Sequence, residues 1–255
     1  LQKLERIMTV HYEPWTKTQI IWDPEELAKR VTTENIEILI VEADFLVEEL
    51  FTSTQSLSLC AMCRAGLNQV DLDAATKAGV VIVHTPGRNA QAVAELTVGL
   101  MFTLGRHIAR AHSFVTGGHW KDPVEPYTAL RGVELSGKTL GIVGLGATGR
   151  RVAQAGLGLG MRVLGYDPYI TSSERKWHGT ILTPLDELLK ASHFITIHVP
   201  ETSETEDMLN ARRLALLPKG AFLVNTSSPS VVNQDALIRA LTQGQLGGAA
   251  FDVHD

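Results

Sequence analysis

The segment Lys138-Thr-Leu-Gly-Ile-Val-Gly-Leu-Gly-Ala-Thr-Gly-Arg-Arg-Val-Ala153 decides how the rest of this chain is read. An apolar run, Thr139–Val143, ends in Gly144-x-Gly146-x-x-Gly149 and passes straight into a helix-compatible segment. A dinucleotide pyrophosphate needs this arrangement: a tight turn, a backbone with no Cβ facing the phosphates, and a helix N-terminus aimed at them. A GxGxxG pattern alone is a weak signal. Here the strand before it, the helix after it and a carboxylate downstream accompany it.

The carboxylate is Asp167, which closes a second strand-like run, Met161–Asp167, and stands 18 positions past Gly149. That is near the ~20-residue spacing at which an acidic side chain meets the adenosine ribose hydroxyls. An NADP site calls for an arginine close by, whereas Pro168 and Tyr169 follow here, so NAD is the expected cofactor. The competing reading is a glycine turn that only packs a helix on a sheet.

At 255 residues the chain has room for one large or two modest domains, and 44% apolar with 20% charged residues is ordinary for a soluble globular protein. A formal net charge of −5 gives no electrostatic reason to expect nucleic acid or an anionic membrane as partner. No apolar run approaches the ~20 residues of a membrane span. The start, Leu1-Gln-Lys-Leu-Glu-Arg6, lacks the pattern of a secretory signal, so a cytoplasmic protein is expected. Because the first residue is not methionine, the sequence is expected to begin inside a longer polypeptide. Cys60 and Cys63 are the two cysteines, and their odd spacing on a strand would send them to opposite faces. Two cysteines cannot complete a tetrahedral zinc site alone, so buried, inert thiols are expected rather than a redox or metal role.

Two halves differ in pattern. In the first, strand-like runs at Thr9–Tyr12, Ile36–Val41, Leu57–Met62 and Val80–His84 alternate with helix candidates at Pro24–Val31 and Asp71–Ala78, the latter closed by Gly79. Asn89–Val115 follows as one long helical segment of about 40 Å, stopped by Gly117-Gly118. Lys121–Tyr127 reads as a proline-punctuated surface connection. Beyond Lys138 strands are expected at Thr139–Val143, Arg162–Tyr166, Phe194–Val199, Ala221–Asn225 and Gly248–Val253. Helices are expected at Gly149–Gly158, Pro184–Lys190, Glu206–Leu209 with Ala211–Leu216, and Gln234–Thr242. The alternation argues an α/β fold of parallel sheets. Since a dinucleotide fold commonly has six strands, the second half is expected to be truncated after its fifth.

Together these residues resemble the D-isomer-specific 2-hydroxyacid dehydrogenases, nearest the 3-phosphoglycerate dehydrogenase-like branch. The resemblance runs from about Leu57 to Asp255. It is carried by Arg64-Ala-Gly66 with Val70-Asp71, Ala74-Ala-Thr-Lys-Ala-Gly-Val80, His84-Thr-Pro-Gly-Arg-Asn-Ala90, Val93-Ala-Glu95 and Gly118-His-Trp120. Leu135–Gly146, Gly165-Tyr-Asp-Pro168, His198-Val-Pro200, Leu223-Val-Asn-Thr226 and Gly248-Ala-Ala-Phe-Asp-Val253 complete it. It implies a smaller flavodoxin-like substrate domain at residues 1–87 and a Rossmann-type NAD domain at residues 88–255. Members of the family often form homodimers through the NAD domain.

By the same resemblance Gly144, Gly146, Ala147, Thr148 and Gly149 would receive the pyrophosphate, with Asp167 on the ribose. Val199 and Pro200 would line the adenine side, unless they merely end a strand. Thr226, Ser227 and Ser228 would lie along the nicotinamide half, and Asp252 would face the carboxamide. A carboxylate buried at the end of an apolar strand must find donors, which supports that role. Arg64, Ala65 and Gly66 match the loop that receives the substrate carboxylate, although Arg64 also suits a surface ion pair. His198 is read as a strand-end residue with a satisfied ring rather than a proton carrier, His84 as standing where the family often carries a neutral polar residue, and His193, where the family usually has aspartate, as a helix–strand junction.

The catalytic set is broken. Oxidation of a 2-hydroxy acid needs a cation to fix the carboxylate and a base near neutral pH. The family's arginine lies in an Asn-x-x-Arg-Gly pattern, yet this chain reads Asn225-Thr-Ser-Ser228-Pro229. A serine hydroxyl offers one neutral bond of ~0.5–1.5 kcal/mol net, where arginine offers a charged pair. The family's glutamate and histidine belong beyond Asp255, and His254 and Asp255 do not match their spacing. The expected function is thus an NAD-dependent oxidoreductase acting on a 2-hydroxy or 2-oxo acid, phosphorylated or not. The alternative is a catalytically impaired NAD-binding protein or nucleotide-sensing module.

Overall fold

The computed structural model describes residues 2–170 and 176–253. Its contacts divide the chain into two units, Leu1–Arg88 and Asn89–Asp255.

The first unit runs α1 (Trp15–Thr18), α2 (Pro24–Thr33), β1 (Ile38–Val41), α3 (Glu48–Ser53), β2 (Leu59–Met62), α4 (Leu72–Ala78) and β3 (Val81–His84). Local chemistry sets the helix ends. Asp23 accepts from the amides of Glu25 and Glu26 ahead of a first-turn proline, and Asp71 caps α4 through the Ala74 amide. Gly79 closes α4 at φ 71°, a left-handed conformation that favours glycine. The three strands are parallel in the order β1-β2-β3, with Leu39, Cys60 and Ile82 in register. Leu27, Val31, Leu50, Phe51, Cys60 and Met62 form the core of this unit. Burial pushes the Cys60 thiol up to about 12, so it stays protonated, and Cys63 is half-buried.

One expectation for this unit needs correction. Thr9–Tyr12 pairs with no strand among the described residues and is largely exposed. The helices α1 and α3 have four and six residues, too few for a periodic signal to emerge from sequence.

The second unit opens with α5 (Ala90–Gly105) and α6 (Ile108–Thr116) where one long helix was expected. The break falls at His107, whose φ is 54°. The Gly105 carbonyl accepts from the Val133 amide at 2.6 Å, and the Cβ of any larger residue at Gly132 would lie 2.7 Å from that same oxygen. Docking of the Gly132 segment thus coincides with the end of α5, which spans about 24 Å at ~1.5 Å per residue. A short helix, α7 (Val124–Ala129), occupies part of the expected surface connection, capped by Asp122 through the Val124 and Glu125 amides.

The sheet follows: β4 (Thr139–Val143), α8 (Ala147–Gly158), β5 (Arg162–Tyr166), β6 (Lys176–Trp177), β7 (Thr180–Leu182), α9 (Leu185–Ala191), β8 (Phe194–Ile197), α10 (Ala211–Leu214), β9 (Ala221–Asn225), α11 (Gln234–Thr242) and β10 (Leu246–Phe251). Spatial order is β10-β9-β8-β4-β5-β7-β6, and among the described residues only the β6–β7 pairing is antiparallel. Counting the parallel strands in chain order gives 3-2-1-4-5-6, the doubly wound dinucleotide-binding order. Six parallel strands are therefore present, and the expectation of a sheet broken off after the fifth is corrected. The missed strand is β7, three residues long and paired to β5 at only two positions. Glu206–Leu209 is a turn rather than a helix, tied by a bridge from Leu209 to Val232. Every residue of β4, β8 and β9 is buried, because apolar clusters cover both faces of the sheet.

Candidate functional site

The turn after β4 is built by three glycines with three different constraints. Gly144 takes φ +92°, and a Cβ there would lie 2.7 Å from the His198 carbonyl oxygen, so neither the conformation nor the space admits a side chain. At Gly149 a Cβ would stand 1.9 Å from the Gly144 carbonyl oxygen, because α8 begins directly against the turn. Gly146 differs: its φ is −67°, and a Cβ there would meet nothing within 4 Å. It is the N-cap of α8, a twelve-residue helix, and provides no side-chain cap. An open cradle thus lies over a helix N-terminus whose first amides, at Ala147 and Thr148, point to an anion. The residues fit the pyrophosphate of a dinucleotide.

Asp167 follows β5 and does more than its spacing suggests. One carboxylate oxygen accepts from the Leu145 amide at 2.9 Å, inside the glycine turn, and the other from the Tyr169 amide at 3.0 Å. The carboxylate therefore holds the turn, and each oxygen retains acceptor capacity for a hydroxyl donor. Vicinal ribose hydroxyls suit it, whereas a 2′-phosphate would meet like charge.

The ends of β8 and β9 flank the turn. Val199 is buried, its Cγ1 3.0 Å from the position of a Gly144 Cβ, and Pro200 is exposed. After β9 the loop is organised by Asn225, which is 1% exposed. Its Oδ1 accepts from the Ser227 amide and hydroxyl, and its Nδ2 donates to the Ser228 carbonyl, each at 2.9 Å. The Ser228 hydroxyl donates to Glu201 at 2.8 Å and lies 2.9 Å from the Ser230 hydroxyl. Where the family carries a cation, this chain has a serine bonded to a carboxylate. The Asp252 amide donates to the Asn225 carbonyl, but its side chain is exposed. Contrary to expectation, the Asp252 carboxylate is not buried and has no desolvation cost to offset.

Thr226 places its hydroxyl 3.0 Å from that of Thr97 on α5 and 3.4 Å from Nδ1 of His198. The His198 ring is not fully satisfied, contrary to expectation: Nε2 is shielded from solvent and has no partner among the described residues. Burial holds its pKa down to about 4. Nδ1 of His193 accepts from the Thr139 amide at 3.2 Å, and burial followed by the nearby Lys138 charge lowers its pKa. It joins β4 to the start of β8, as a junction residue should.

In the first unit, Arg64, Ala65 and Gly66 form an exposed loop beyond β2. The Thr85 amide donates to the Arg64 carbonyl at 3.0 Å, and Nδ1 of His84 lies 2.9 Å from the Ala65 carbonyl, which makes it the protonated ring nitrogen. The Arg64 guanidinium donates to Gln69, whose amide group in turn donates to the Ala43 carbonyl. Arg64 is thus held by a neutral partner and keeps its charge uncompensated by that bond. Sequence reading missed Asn225, Glu201 and Thr97, of which only Asn225 lay inside a recognisable motif. His254 and Asp255 lie outside the described residues. Among the described residues no cluster of ligating side chains suits a metal, and no helix is long and apolar enough to cross a membrane.

Comparison with known proteins places these features in context. The family model for the D-isomer specific 2-hydroxyacid dehydrogenase NAD binding domain matches residues 98–255. A glyoxylate reductase from Thermofilum pendens is 36% identical, the match covering 92% of this chain and 69% of that protein. A D-3-phosphoglycerate dehydrogenase from Methanocaldococcus jannaschii is 33% identical over 90% of this chain, but only 45% of its own length is covered. Among solved structures, D-lactate dehydrogenase from Aquifex aeolicus complexed with NAD and lactic acid superposes with a TM-score of 0.78 at 36% identity, covering 91% of this chain and 67% of that one.

Proposed function

Because this chain belongs to the D-isomer specific 2-hydroxyacid dehydrogenase family, we propose that it is an NAD-dependent oxidoreductase acting on a small 2-hydroxy or 2-oxo acid. Residues 1–87 are the substrate-binding part and residues 88–255 the NAD-binding part. The observation that carries the reading is the open cradle at Gly146 over the α8 N-terminus, beside a carboxylate at Asp167.

Gly144 and Gly149 shape the turn, while Gly146, Ala147 and Thr148 hold the pyrophosphate through backbone amides. Asp167 takes the adenosine ribose hydroxyls, and Val199 with Pro200 borders the adenine. Thr226, Ser227 and Ser228 run along the nicotinamide half, with Asp252 as acceptor for the carboxamide. Arg64, Ala65 and Gly66 receive the substrate carboxylate, the arginine adding a cation to the loop amides. Bound NAD supplies the hydride acceptor, and the chain's own residues bind, orient and exclude water. In this reading the protein is a cytoplasmic homodimer, which the family resemblance implies.

A second reading has a specific observation behind it. Ser228 stands at the arginine position and donates to Glu201, so this spot presents an acidic acceptor rather than a cation. Charge of that sign opposes a substrate carboxylate, which favours a catalytically impaired NAD-binding protein. Stopped-flow and steady-state assays of the full-length protein with NAD and a panel of 2-hydroxy acids separate the two. Turnover of any member supports the oxidoreductase; saturable NADH binding with no turnover supports the second reading.

A further inference from the structure

The ring of His198 sits at the place where the doubly wound sheet reverses direction. Its backbone amide donates to the Val143 carbonyl at the end of β4, and its own carbonyl abuts the glycine turn at Gly144. The ring reaches Thr226, and Thr226 reaches Thr97 on α5.

Counting protons gives this chain of contacts a direction. The Thr97 hydroxyl lies 2.8 Å from the Val93 carbonyl, which can only accept, so the Thr97 proton is committed there. Thr226, 3.0 Å from Thr97, must then donate to it. With its single proton committed, Thr226 has none for Nδ1 of His198 at 3.4 Å, so Nδ1 must carry the hydrogen. Two bare lone pairs facing each other would repel. The ring is therefore the Nδ1-protonated tautomer, and Nε2, shielded and without a partner among the described residues, is a bare acceptor. Burial resists protonation of that nitrogen, so the ring is neutral at physiological pH.

We propose that His198 is a positioning residue that completes a relay whose polarity the Val93 carbonyl fixes through Thr97 and Thr226, its Nδ1–H holding Thr226 so that this hydroxyl offers a lone pair and not a proton to the nicotinamide half of the bound dinucleotide. That remaining acceptor selects an N–H or O–H donor on the cofactor. This rests on the NAD-binding reading above, but its core is testable in the protein without cofactor.

Nitrogen-15 correlation spectra of the histidine rings in the full chain provide the first arm. His198 is expected to show a protonated Nδ1 and an unprotonated Nε2, unchanged between pH 8 and pH 5.5. The second arm uses Thr97→Val, a near-isosteric change that frees the Thr226 proton; it should shift the His198 ring toward the Nε2-protonated form. The third arm compares NADH affinity. His198→Asn, whose amide can donate from near the Nδ1 position, should stay within about threefold of wild type, while His198→Leu and Thr97→Val should weaken binding about fivefold, the scale of one net hydrogen bond. An Nε2-protonated ring in the wild type, or a Thr97→Val protein with an unaltered tautomer, overturns the relay. If the tautomers behave as stated but the wild type binds no NADH, the NAD reading fails and the relay stands.

Discussion

Gly146 and Gly149 belong to one motif, yet alanine at each should fail in a different assay. At Gly149 a methyl carbon would sit 1.9 Å from the Gly144 carbonyl oxygen. That is about 1.6 Å inside an ordinary heavy-atom contact of ~3.5 Å, and the obstacle is backbone. Gly144 cannot retreat easily, since it is left-handed and lies against the His198 carbonyl. Overpacking of this kind costs about 3 kcal/mol, which lowers Tm by roughly 6–12 °C in a chain of this size. At Gly146 the methyl meets nothing and φ is ordinary, so the change to a poorer N-cap should cost under about 1 kcal/mol. The methyl would nevertheless occupy the cradle, and NADH affinity should fall at least tenfold, about 1.4 kcal/mol. Thermal unfolding paired with fluorescence titration of NADH measures both. A Gly146→Ala protein with wild-type Kd refutes the placement of the pyrophosphate. A Gly149→Ala protein with wild-type Tm refutes the packing argument.

Other perturbations test separate parts of the account. Ser228→Arg alone should give little gain in turnover, because Glu201, 2.8 Å from the Ser228 hydroxyl, is placed to capture the guanidinium; Ser228→Arg with Glu201→Gln should exceed either single variant in kcat/KM for a 2-hydroxy acid. Equal activity in the single and double variants would remove Glu201 from the explanation. Asn225→Ala should lower stability by about 2–3 kcal/mol, since three hydrogen bonds to the 227–228 loop vanish from a buried site, as urea unfolding would register. The half-buried His198, its Nε2 shielded from solvent, has a folded pKa of about 4, below its ordinary value of 6.5, so the unfolded chain binds the proton more readily. Its contribution to stability is therefore intact above about pH 6.5 and declines as pH falls toward 4. His198→Phe should flatten the wild-type stability slope in that interval, and an unchanged slope would show that other groups produce it.

The sequence disclosed what local pattern controls. The glycine turn, β4, β5, β9 and α11 are legible because each combines an apolar period with a boundary residue, and the Asp167 spacing is a chain-length consequence of the βαβ unit. What stayed hidden depends on residues far apart in the chain. The break at His107 coincides with docking of Gly132 and Val133 on the Gly105 carbonyl, an event 27 positions away that no helix-end signal anticipates. Ser228 and Glu201 are likewise 27 apart. The Asp167 bond to Leu145 exists only once β5 lies beside β4, so the spacing revealed the carboxylate but not its grip on the turn. β7 escaped notice because two paired residues leave no periodic trace.

The most direct test of the central claim is equilibrium titration of the wild-type protein with NADH and, separately, NADPH. Asp167 bonded to the glycine turn and open space above Gly146 predict saturable binding of one NADH per chain, with NADPH at least tenfold weaker and Asp167→Ala narrowing that gap. Absence of saturable NADH binding, or equal affinity for the two cofactors in the wild type, would contradict the account.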